Sequence, residues 1–388
     1  MLVVLLVVCV FFLAWANGAN DNFKGVATLY GSATTTFRTA LIWATGATLA
    51  GSLVSVAFAS KLVSAFRGKG LVPDEFLGVG LLVAVAGAGA LTILLATILG
   101  MPTSTTHALT GALVGAGLAA AGASGVGWGA LATKFAQPLL LSPVLSIALT
   151  ALLYSVFRFG RRRLRVEKET CICIGERGER KLVPLGALAM STAGAGSVAS
   201  ATSPLSVVGG TPPFELGVGQ ASECVERYSG RVFGIRAQGV VDFFHYLSAG
   251  AVCFARAVND TPKIAALLFG VVALGSSLTT PALGAVALAM AAGGWFHSRK
   301  VAETMSKHIT VLNTGQGLTA NLMTAFLVLG ASRMGVPVST THVSCGAIFG
   351  IGLVNGKREW RTIGKIGATW LTTLPLGFAL GFGLYCLT

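Results

Sequence analysis

Long apolar runs separated by short polar stretches are the feature of this 388-residue chain that most restricts its fold. A helix needs roughly 17–25 mainly apolar residues to cross the hydrocarbon core of a bilayer. Runs of about that length or longer cover residues 40–60, 76–99, 107–123, 137–157, 264–296, 318–332 and 366–387. Because lipid offers no hydrogen bonds to the backbone, each run predicts a helix. We expect the longest run, 264–296, to form two crossings divided near Pro281.

The composition agrees with a membrane protein. Only 11% of the residues are charged, 54% are hydrophobic and the mean hydropathy is +0.77, whereas a soluble domain carries roughly 25% charged residues. Segments 2–16 and 240–255 are also apolar but shorter, and we interpret 2–16 as the first membrane helix because it lacks the basic start of a signal peptide. The sequence therefore predicts an all-α, multi-pass protein of the cell membrane with about ten to twelve transmembrane helices.

The net charge of +14 does not favour nucleic-acid binding. The basic residues flank apolar segments and are not interleaved with aromatic residues, so loops beside the membrane account for most of them, and the positive field can also attract an anionic solute. The seven cysteines are an odd number, which argues against a disulfide framework. Cys171 and Cys173 form a lone CxC with no second pair to complete a zinc site.

Several elements of the chain occur twice in the same order, which indicates an internal duplication. Segments 17–29 and 255–267 each hold an Asn-Asp pair with a lysine three positions after the aspartate. The element Pro-x-Ser-Thr-Thr-His occurs at 102–107 and again at 337–342. A weaker repeat matches Trp128 with Trp360 and Pro143 with Pro375. We predict a first transmembrane repeat at 1–157 and a second at 240–388.

The region between the repeats, 158–239, has a different composition. Its first part, 158–183, carries nine lysines and arginines against four glutamates, and an excess of basic residues is typical of cytoplasmic loops. Residues 184–239 are rich in Gly, Ser and Pro, and whether 184–208 crosses the membrane stays open. We expect a basic cytoplasmic loop followed by a linker region.

The Asn-Asp pairs are candidate cation sites. An ionisable residue beside apolar helices is costly, so a functional role is the default interpretation. Carboxylate and amide oxygens are the hard ligands that Na⁺ and similar cations prefer, which selects Asn20, Asp21, Asn259 and Asp260. Gly18, Gly25 and Pro262 nearby make interrupted helices plausible. The alternative is structural, because an aspartate can cap a helix or pair with the lysine one turn on, as Lys24 follows Asp21.

The two Ser-Thr-Thr elements are candidate anion sites. A proline followed by hydroxyl residues and a Gly/Ala-rich run is typical of a helix start. Such a start presents free N–H groups and the positive end of the helix dipole, which bind anions, and the hydroxyls add donors. This interpretation selects Ser104, Thr105, Thr106, Ser339, Thr340 and Thr341. A capped helix alone would be weak support, but here the element is duplicated and each copy follows an Asn-Asp pair.

Electrostatics links the two kinds of site. Two aspartates repel a nearby oxyanion unless cations or protons intervene, so cations at Asp21 and Asp260 would help the anion to bind and would couple the two ligands. His107 and His342 directly follow the hydroxyls and serve either as a proton relay or, as we favour, in helix packing. The glycines at 111, 115 and 117, matched at 346, 350 and 352, predict close helix contacts.

These motifs resemble those of the PiT family of inorganic phosphate transporters. NGANDNFKGVAT is similar to the first family signature, AVNDTPK to the second, and MPTSTTH and VPVSTTH to its paired hairpin elements. NTGQGLTAN at 313–321 resembles another family stretch and points to Gln316. One departure is Lys24, where the first signature more often has Asn, so whether its side chain joins the site or pairs with Asp21 stays open.

The resemblance implies a fold of two inverted repeats with broken or re-entrant helical hairpins, phosphate uptake by Na⁺ or H⁺ symport, and a homodimer. It supports Asn20, Asp21, Asn259, Asp260 and the two Ser-Thr-Thr runs as site residues, and it adds Gln316 on the phosphate side. We expect Na⁺ as the coupling ion and no other cofactor, because paired amide and carboxylate oxygens suit a metal cation.

Three other functions remain open from the sequence. A permease for sulfate or another tetrahedral oxyanion would use the same helix starts and hydroxyls. A passive anion channel would not need the aspartates. An intramembrane hydrolase would need an oriented acid or a G-x-S-x-G elbow beside Ser104 or Ser339, and neither is present in the sequence. We therefore expect a transporter and not an enzyme.

Overall fold

The apolar runs fold into helices, as the lack of hydrogen-bond partners in lipid requires. A computed structural model describes residues 1–55, 59–164, 168–169, 171–176, 179–184, 215–217, 227–228, 231–232, 234–269 and 276–388. Met1–Arg158 and Val241–Thr388 form one unit, and Phe159–Val240 form a second.

The helices of the first repeat region are α1 (Leu2–Asp21), α2 (Ala27–Gly31), α3 (Phe37–Val54), α4 (Ala59–Phe66), α5 (Val79–Ile98), α6 (Thr105–Gly125) and α7 (Trp128–Arg163). Those of the second are α8 (Ala237–Phe269), α9 (Ser276–His297), α10 (Arg299–Lys307), α11 (Thr314–Met334), α12 (Thr340–Asn355) and α13 (Trp360–Tyr385). Helix α7 contains a π-helical segment at Leu131–Ala136, and Asp74–Phe76 form a 3₁₀ turn.

Five of the described helices, α1, α5, α6, α7 and α13, are long and apolar enough to cross a membrane. Large apolar side chains cover outward faces: Leu140, Phe326 and Leu371 are each at least 70% exposed, which suits contact with lipid. The predicted all-α membrane fold is confirmed. The number of ten to twelve crossings and the inverted relation of the repeats stay predictions.

Two helical hairpins hold the duplicated hydroxyl elements. In the first, α5 and α6 are joined by residues 99–104, and in the second α11 and α12 are joined by residues 335–339. Ser104 and Ser339 occupy the N-cap positions, and each side chain accepts a hydrogen bond from the backbone N–H three residues on. The Pro-x-Ser elements therefore begin helices, as the sequence predicted.

The glycines allow each hairpin helix to pack closely on a helix of the other repeat region. A Cβ atom built on Gly111 or Gly115 would lie 2.2 Å or 2.0 Å from a carbonyl oxygen of α13. One built on Gly350 would lie 2.6 Å from a carbonyl oxygen of α7. Helix α6 thus packs on α13 and α12 on α7, and these two partners carry the matched prolines Pro143 and Pro375 inside them.

Two expectations about helix breaks are corrected. Pro281 lies inside α9, so the helix is not broken at this proline, and the residues between Phe269 and Ser276 lie outside the described part of the chain. Helix α1 ends at Asp21, as an interrupted helix requires, but α8 runs through Asn259 and Asp260 with Pro262 inside it. Interruption at both Asn-Asp pairs was therefore wrong for the second pair.

The unit Phe159–Val240 contains short antiparallel strands outside the transmembrane repeats. They are β1 (Lys168–Glu169), β2 (Cys171–Glu176), β3 (Glu179–Pro184), β4 (Glu215–Gly217), β5 (Arg227–Tyr228), β6 (Arg231–Val232) and β7 (Ile235–Arg236). Strand β2 pairs with β3 and β4, β1 with β5, and β6 with β7. The question whether 184–208 crosses the membrane falls outside the described residues, apart from Pro184 at the end of β3.

Candidate functional site

The first Asn-Asp pair lies where α1 ends, directly against the first hairpin. Asp21 is fully buried and forms an ion pair with Lys24. Its other carboxylate oxygen, Oδ2, accepts hydrogen bonds of 3.3 Å from Asn17 Nδ2 and from Thr105 Oγ1. Asp21 is therefore tied both to its own lysine and to the start of α6.

The second pair has the same arrangement inside α8. Asp260 is buried and its Oδ1 accepts from Lys263 Nζ at 3.2 Å and from Asn259 Nδ2 at 3.1 Å. Its Oδ2 has no hydrogen-bond partner among the residues that the structure describes. Both aspartates thus form the buried i,i+3 ion pair that the sequence offered as the structural alternative.

Each lysine also reaches the hydroxyl run of the other repeat. Lys24 Nζ donates to the carbonyl oxygen of Thr103 at 2.8 Å and to Thr341 Oγ1. Lys263 Nζ donates to the carbonyl oxygen of Val338 at 3.1 Å and to Thr106 Oγ1 at 2.8 Å. Each ammonium therefore binds one carboxylate, one hairpin carbonyl and one hydroxyl.

The two lysine environments match position by position. Thr103 and Val338 both follow the proline of their hairpin, and Thr106 and Thr341 are the third hydroxyl residues of each run. The hairpins also contact each other directly: Thr106 Oγ1 donates to Val338 O at 3.0 Å, and Thr341 Oγ1 donates to Thr103 O at 2.5 Å. The structure thus brings the predicted aspartates together with Thr105, Thr106 and Thr341 in one buried cluster.

The asparagine of each Asn-Asp pair forms hydrogen bonds to the neighbouring hairpin. Asn20 Nδ2 donates to Thr97 Oγ1 at 2.9 Å and to Met101 O at 3.1 Å, and its Oδ1 accepts from the Thr103 N–H at 3.0 Å. Asn259 Nδ2 donates to Val338 O at 3.2 Å, and its Oδ1 accepts from Ser332 Oγ at 3.4 Å. Both asparagines are therefore hairpin anchors here, and their predicted role as cation ligands stays a prediction.

Sequence reasoning did not single out Arg256, a third buried cation of the cluster. It is 1% exposed and lies four residues before Asp260, the position that Asn17 holds before Asp21. Arg256 Nη1 donates to Asn17 Oδ1 at 3.2 Å, and Nη2 donates to Thr48 Oγ1 at 2.9 Å. A charged residue directly after the apolar run 240–255 was a signal for Arg256, but its counterpart in the first repeat, Asn17, is uncharged, so the repeat did not indicate it.

Lys263 was also not assigned to the site, although the sequence offered a signal for it. Its spacing from Asp260 repeats the spacing of Lys24 from Asp21. With it, two carboxylates face three cations in the buried cluster, which leaves one positive charge. Such a surplus attracts an anion in a low-dielectric site.

Of the six hydroxyl residues, two cap helices, three join the ion-pair cluster and one, Thr340, does neither. Ser104 and Ser339 accept from the N–H groups of His107 and His342 at 3.2 Å and 3.1 Å. Thr105, Thr106 and Thr341 join the ion-pair cluster through the contacts given above. Thr340 is buried, with its carbonyl oxygen accepting from Ser344 Oγ.

The two histidines lie between the repeats, as expected for a packing role. Their ring centroids are 4.5 Å apart, edge to face. His107 Nδ1 lies 3.2 Å from the carbonyl oxygen of Trp370 in α13, and His342 Nδ1 lies 3.3 Å from that of Leu139 in α7. Each ring therefore links its hairpin helix to the helix on which that helix packs.

Gln316 has a local role in this structure. It forms a capping box with Asn313 at the start of α11, and its Nε2 donates to Tyr154 Oη at 2.9 Å. Among the described residues, no hydrogen bond joins its side chain to the aspartate cluster. Its predicted contact with phosphate stays a prediction.

A basic cavity lies beside the second hairpin. Its volume is about 580 Å³, and Lys61, Lys69 and Lys134 line it together with Val336 and Pro337. Pro337 immediately precedes Val338, whose carbonyl oxygen accepts from Lys263. A basic cavity at this place raises the local concentration of anions next to the buried cluster.

Comparisons with known proteins agree with the motifs. The sequence model of the phosphate transporter family matches residues 17–381. The chain is 29% identical to inorganic phosphate transporter 2-1, chloroplastic, of Arabidopsis thaliana, over 95% of this chain and 69% of that protein. It is 24% identical to the probable low-affinity inorganic phosphate transporter of Mycobacterium leprae, over 99% of this chain and 77% of that protein.

A solved structure shares the fold. The protein described as the sodium-dependent phosphate transporter superposes with a TM-score of 0.71 at 22% identity, covering 100% of this chain and 98% of that one. At this level of identity the match establishes the common architecture.

Proposed function

Because the chain belongs to the phosphate transporter family, we propose that it imports inorganic phosphate across the cell membrane by cation symport and alternating access. The observation that carries the proposal is the buried cluster in which both hairpin starts meet two aspartates and three basic side chains. The matched family is a family of transporters, which supports transport as the function.

Phosphate binds at the two helix starts in this proposal. Backbone N–H groups at the N-termini of α6 and α12 and the positive ends of their dipoles favour an oxyanion. The ligands are the hydroxyl residues Ser104, Thr105, Thr106, Ser339, Thr340 and Thr341. Asp21 and Asp260 contribute by accepting hydrogen bonds from phosphate OH groups, which sulfate lacks at neutral pH.

Sodium is the coupling ion in this proposal. Asp21 and Asp260, with carbonyl and amide oxygens nearby, supply the hard oxygens that the ion needs. The unpartnered Oδ2 of Asp260 is one such oxygen. The solved structure that shares the fold is that of a sodium-dependent phosphate transporter, which supports the same ion.

Contacts across the repeats support alternating access. Each lysine holds an aspartate of its own repeat and a threonine of the other, so movement of one hairpin against the other changes both sets of contacts together. The basic cavity beside Pro337 provides an approach for the anion. We also propose that the protein works as a homodimer, as the family resemblance implies.

The test is uptake of labelled phosphate into proteoliposomes with and without an inward sodium gradient. We expect the gradient to accelerate uptake and to drive accumulation above equilibrium. Equal uptake without sodium would refute sodium coupling, and a proton gradient would then be tried in its place. Excess unlabelled sulfate should compete poorly, whereas effective competition would favour a general oxyanion permease.

A further inference from the structure

Resting on the proposed function, we infer that Lys24 and Lys263 exchange partners during the transport cycle. In the empty site each ammonium neutralises its aspartate. When the coupling cation binds the aspartate, the ammonium is released and becomes a ligand of phosphate. The two lysines thereby make the binding of cation and phosphate depend on each other.

The first reason is the set of atoms around each ammonium. Lys263 Nζ is surrounded by Asp260 Oδ1 at 3.2 Å, Val338 O at 3.1 Å and Thr106 Oγ1 at 2.8 Å. Lys24 has the matching carboxylate, carbonyl and hydroxyl partners. Carboxylate, carbonyl and hydroxyl oxygens are also the ligands of hard metal cations. Each ammonium therefore occupies the environment that a coupling cation would need.

The second reason is electrostatic. Both lysines and both aspartates are at most 3% exposed, so water screens them little. A cation added beside Asp260 while the Lys263 ammonium stays in place would meet a like charge at about the distance of an ion pair, which is unfavourable in a buried site. The cation and the ammonium are therefore competitors for one carboxylate.

The third reason is where a released ammonium can go. Each one already contacts a threonine hydroxyl at a hairpin helix start, Thr106 for Lys263 and Thr341 for Lys24. The proposed phosphate ligands are these same helix starts, so a small rotation of the lysine side chain brings the ammonium to the anion. A phosphate held there then has one charged donor from each repeat.

Loading leaves the net charge of the cluster unchanged, because the one surplus positive charge, which comes with Arg256, is present in both states. In the empty site the two lysine ammonium groups neutralise the two carboxylates. In the loaded site two monovalent cations neutralise the carboxylates, and the two ammonium groups neutralise a doubly charged phosphate. The net charge of the buried cluster is thus the same before and after loading, whereas cation alone or phosphate alone would change it. This is the physical origin of the coupling.

The test is the pair of variants Lys24→Gln and Lys263→Gln, with Lys365→Gln as control. Lys365 is an exposed residue of α13 outside the cluster. In proteoliposomes we expect each site variant to shift two constants in opposite directions. The sodium concentration for half-maximal uptake should fall by about tenfold because the competitor is gone, and the KM for phosphate should rise by about tenfold because a charged ligand is lost.

Other outcomes identify which idea fails. If wild-type uptake needs no cation, both the proposed coupling and the exchange are overturned. If wild-type uptake is sodium-coupled but the variants raise both the sodium concentration for half-maximal uptake and the KM for phosphate, the lysines are structural. Only the exchange is then overturned. The control should leave both constants within twofold of the wild type.

A second measurement does not depend on the lysine variants being folded. The substitution Asp260→Asn removes the carboxylate that holds Lys263. Isothermal titration of inorganic phosphate into the purified variant then measures phosphate binding directly. The exchange predicts that phosphate binds this variant without sodium more tightly than it binds the wild type without sodium, by about tenfold. Weaker binding than in the wild type would contradict the exchange and would favour a simple loss of the cation site.

Discussion

At the scale of single residues, repetition decided what the sequence could predict. Asp21 and Asp260 and the two Thr-Thr runs stood out because each occurs twice, and the structure brings them together. Lys24 and Lys263 also repeat, but the sequence cannot show that an ammonium contacts its own aspartate and the opposite hairpin at once. Arg256 was missed because its counterpart, Asn17, has no charge. The cluster therefore combines repeated positions with one that is not repeated.

The Thr106 hydroxyl provides a residue-scale prediction. Its oxygen accepts from Lys263 Nζ and donates to Val338 O, so Thr106→Val removes two contacts and one proposed phosphate ligand at nearly constant volume. We expect the KM for phosphate uptake to rise by about tenfold.

Thr110→Val is the matched control for this change. Thr110 is buried in the same helix, one turn further on, and its hydroxyl has no hydrogen-bond partner among the described residues. Uptake by this variant should remain close to that of the wild type. An equal loss of phosphate uptake in the two variants would contradict a specific role of the Thr106 hydroxyl and would indicate a general effect on the helix.

At the scale of elements, apolar length and helix-start chemistry predicted most helices and both hairpins. The break near Pro281 and the interruption at Pro262 were wrong, because neighbouring helices can accommodate a proline within a membrane helix. The glycines predicted close packing but not its partners, since the pairing of α6 with α13 and of α12 with α7 depends on contacts distant in sequence. Local chemistry thus fixed the elements, and tertiary packing fixed their partners.

Gly115 tests the packing of the first hairpin. A Cβ atom there would lie 2.0 Å from the carbonyl oxygen of Phe378, a backbone atom of α13 that cannot move alone. Gly115→Ala should therefore destabilise the protein by about 1–3 kcal/mol and slow phosphate uptake. The measurement is the thermal unfolding of the detergent-solubilised protein.

Gly383 offers the control, because a Cβ atom built there meets nothing within 4 Å. Gly383→Ala should leave the unfolding temperature unchanged or slightly higher, since alanine favours a helix. A Gly115 variant as stable as this control would mean that α6 and α13 do not pack as closely as described.

At the scale of the whole molecule, the sequence predicts the side of the membrane on which the middle region lies. By the positive-inside rule, the excess of basic residues at 158–183 predicts a cytoplasmic location. Arg162 is exposed at the end of α7. In a variant without native cysteines, Arg162→Cys should react with a membrane-impermeant maleimide only after the cells are permeabilised, and labelling of intact cells would place the loop outside.

The central claim is that phosphate binds between the two hairpin starts, and the most direct measurement is a crystal structure with arsenate and sodium. Arsenate has the shape and charge of phosphate, and arsenic gives an anomalous signal that locates it. The account predicts one anomalous peak within hydrogen-bond distance of the Thr106 and Thr341 hydroxyls, with Lys24 and Lys263 moved from their aspartates towards it. A peak away from both hairpin starts would contradict the account.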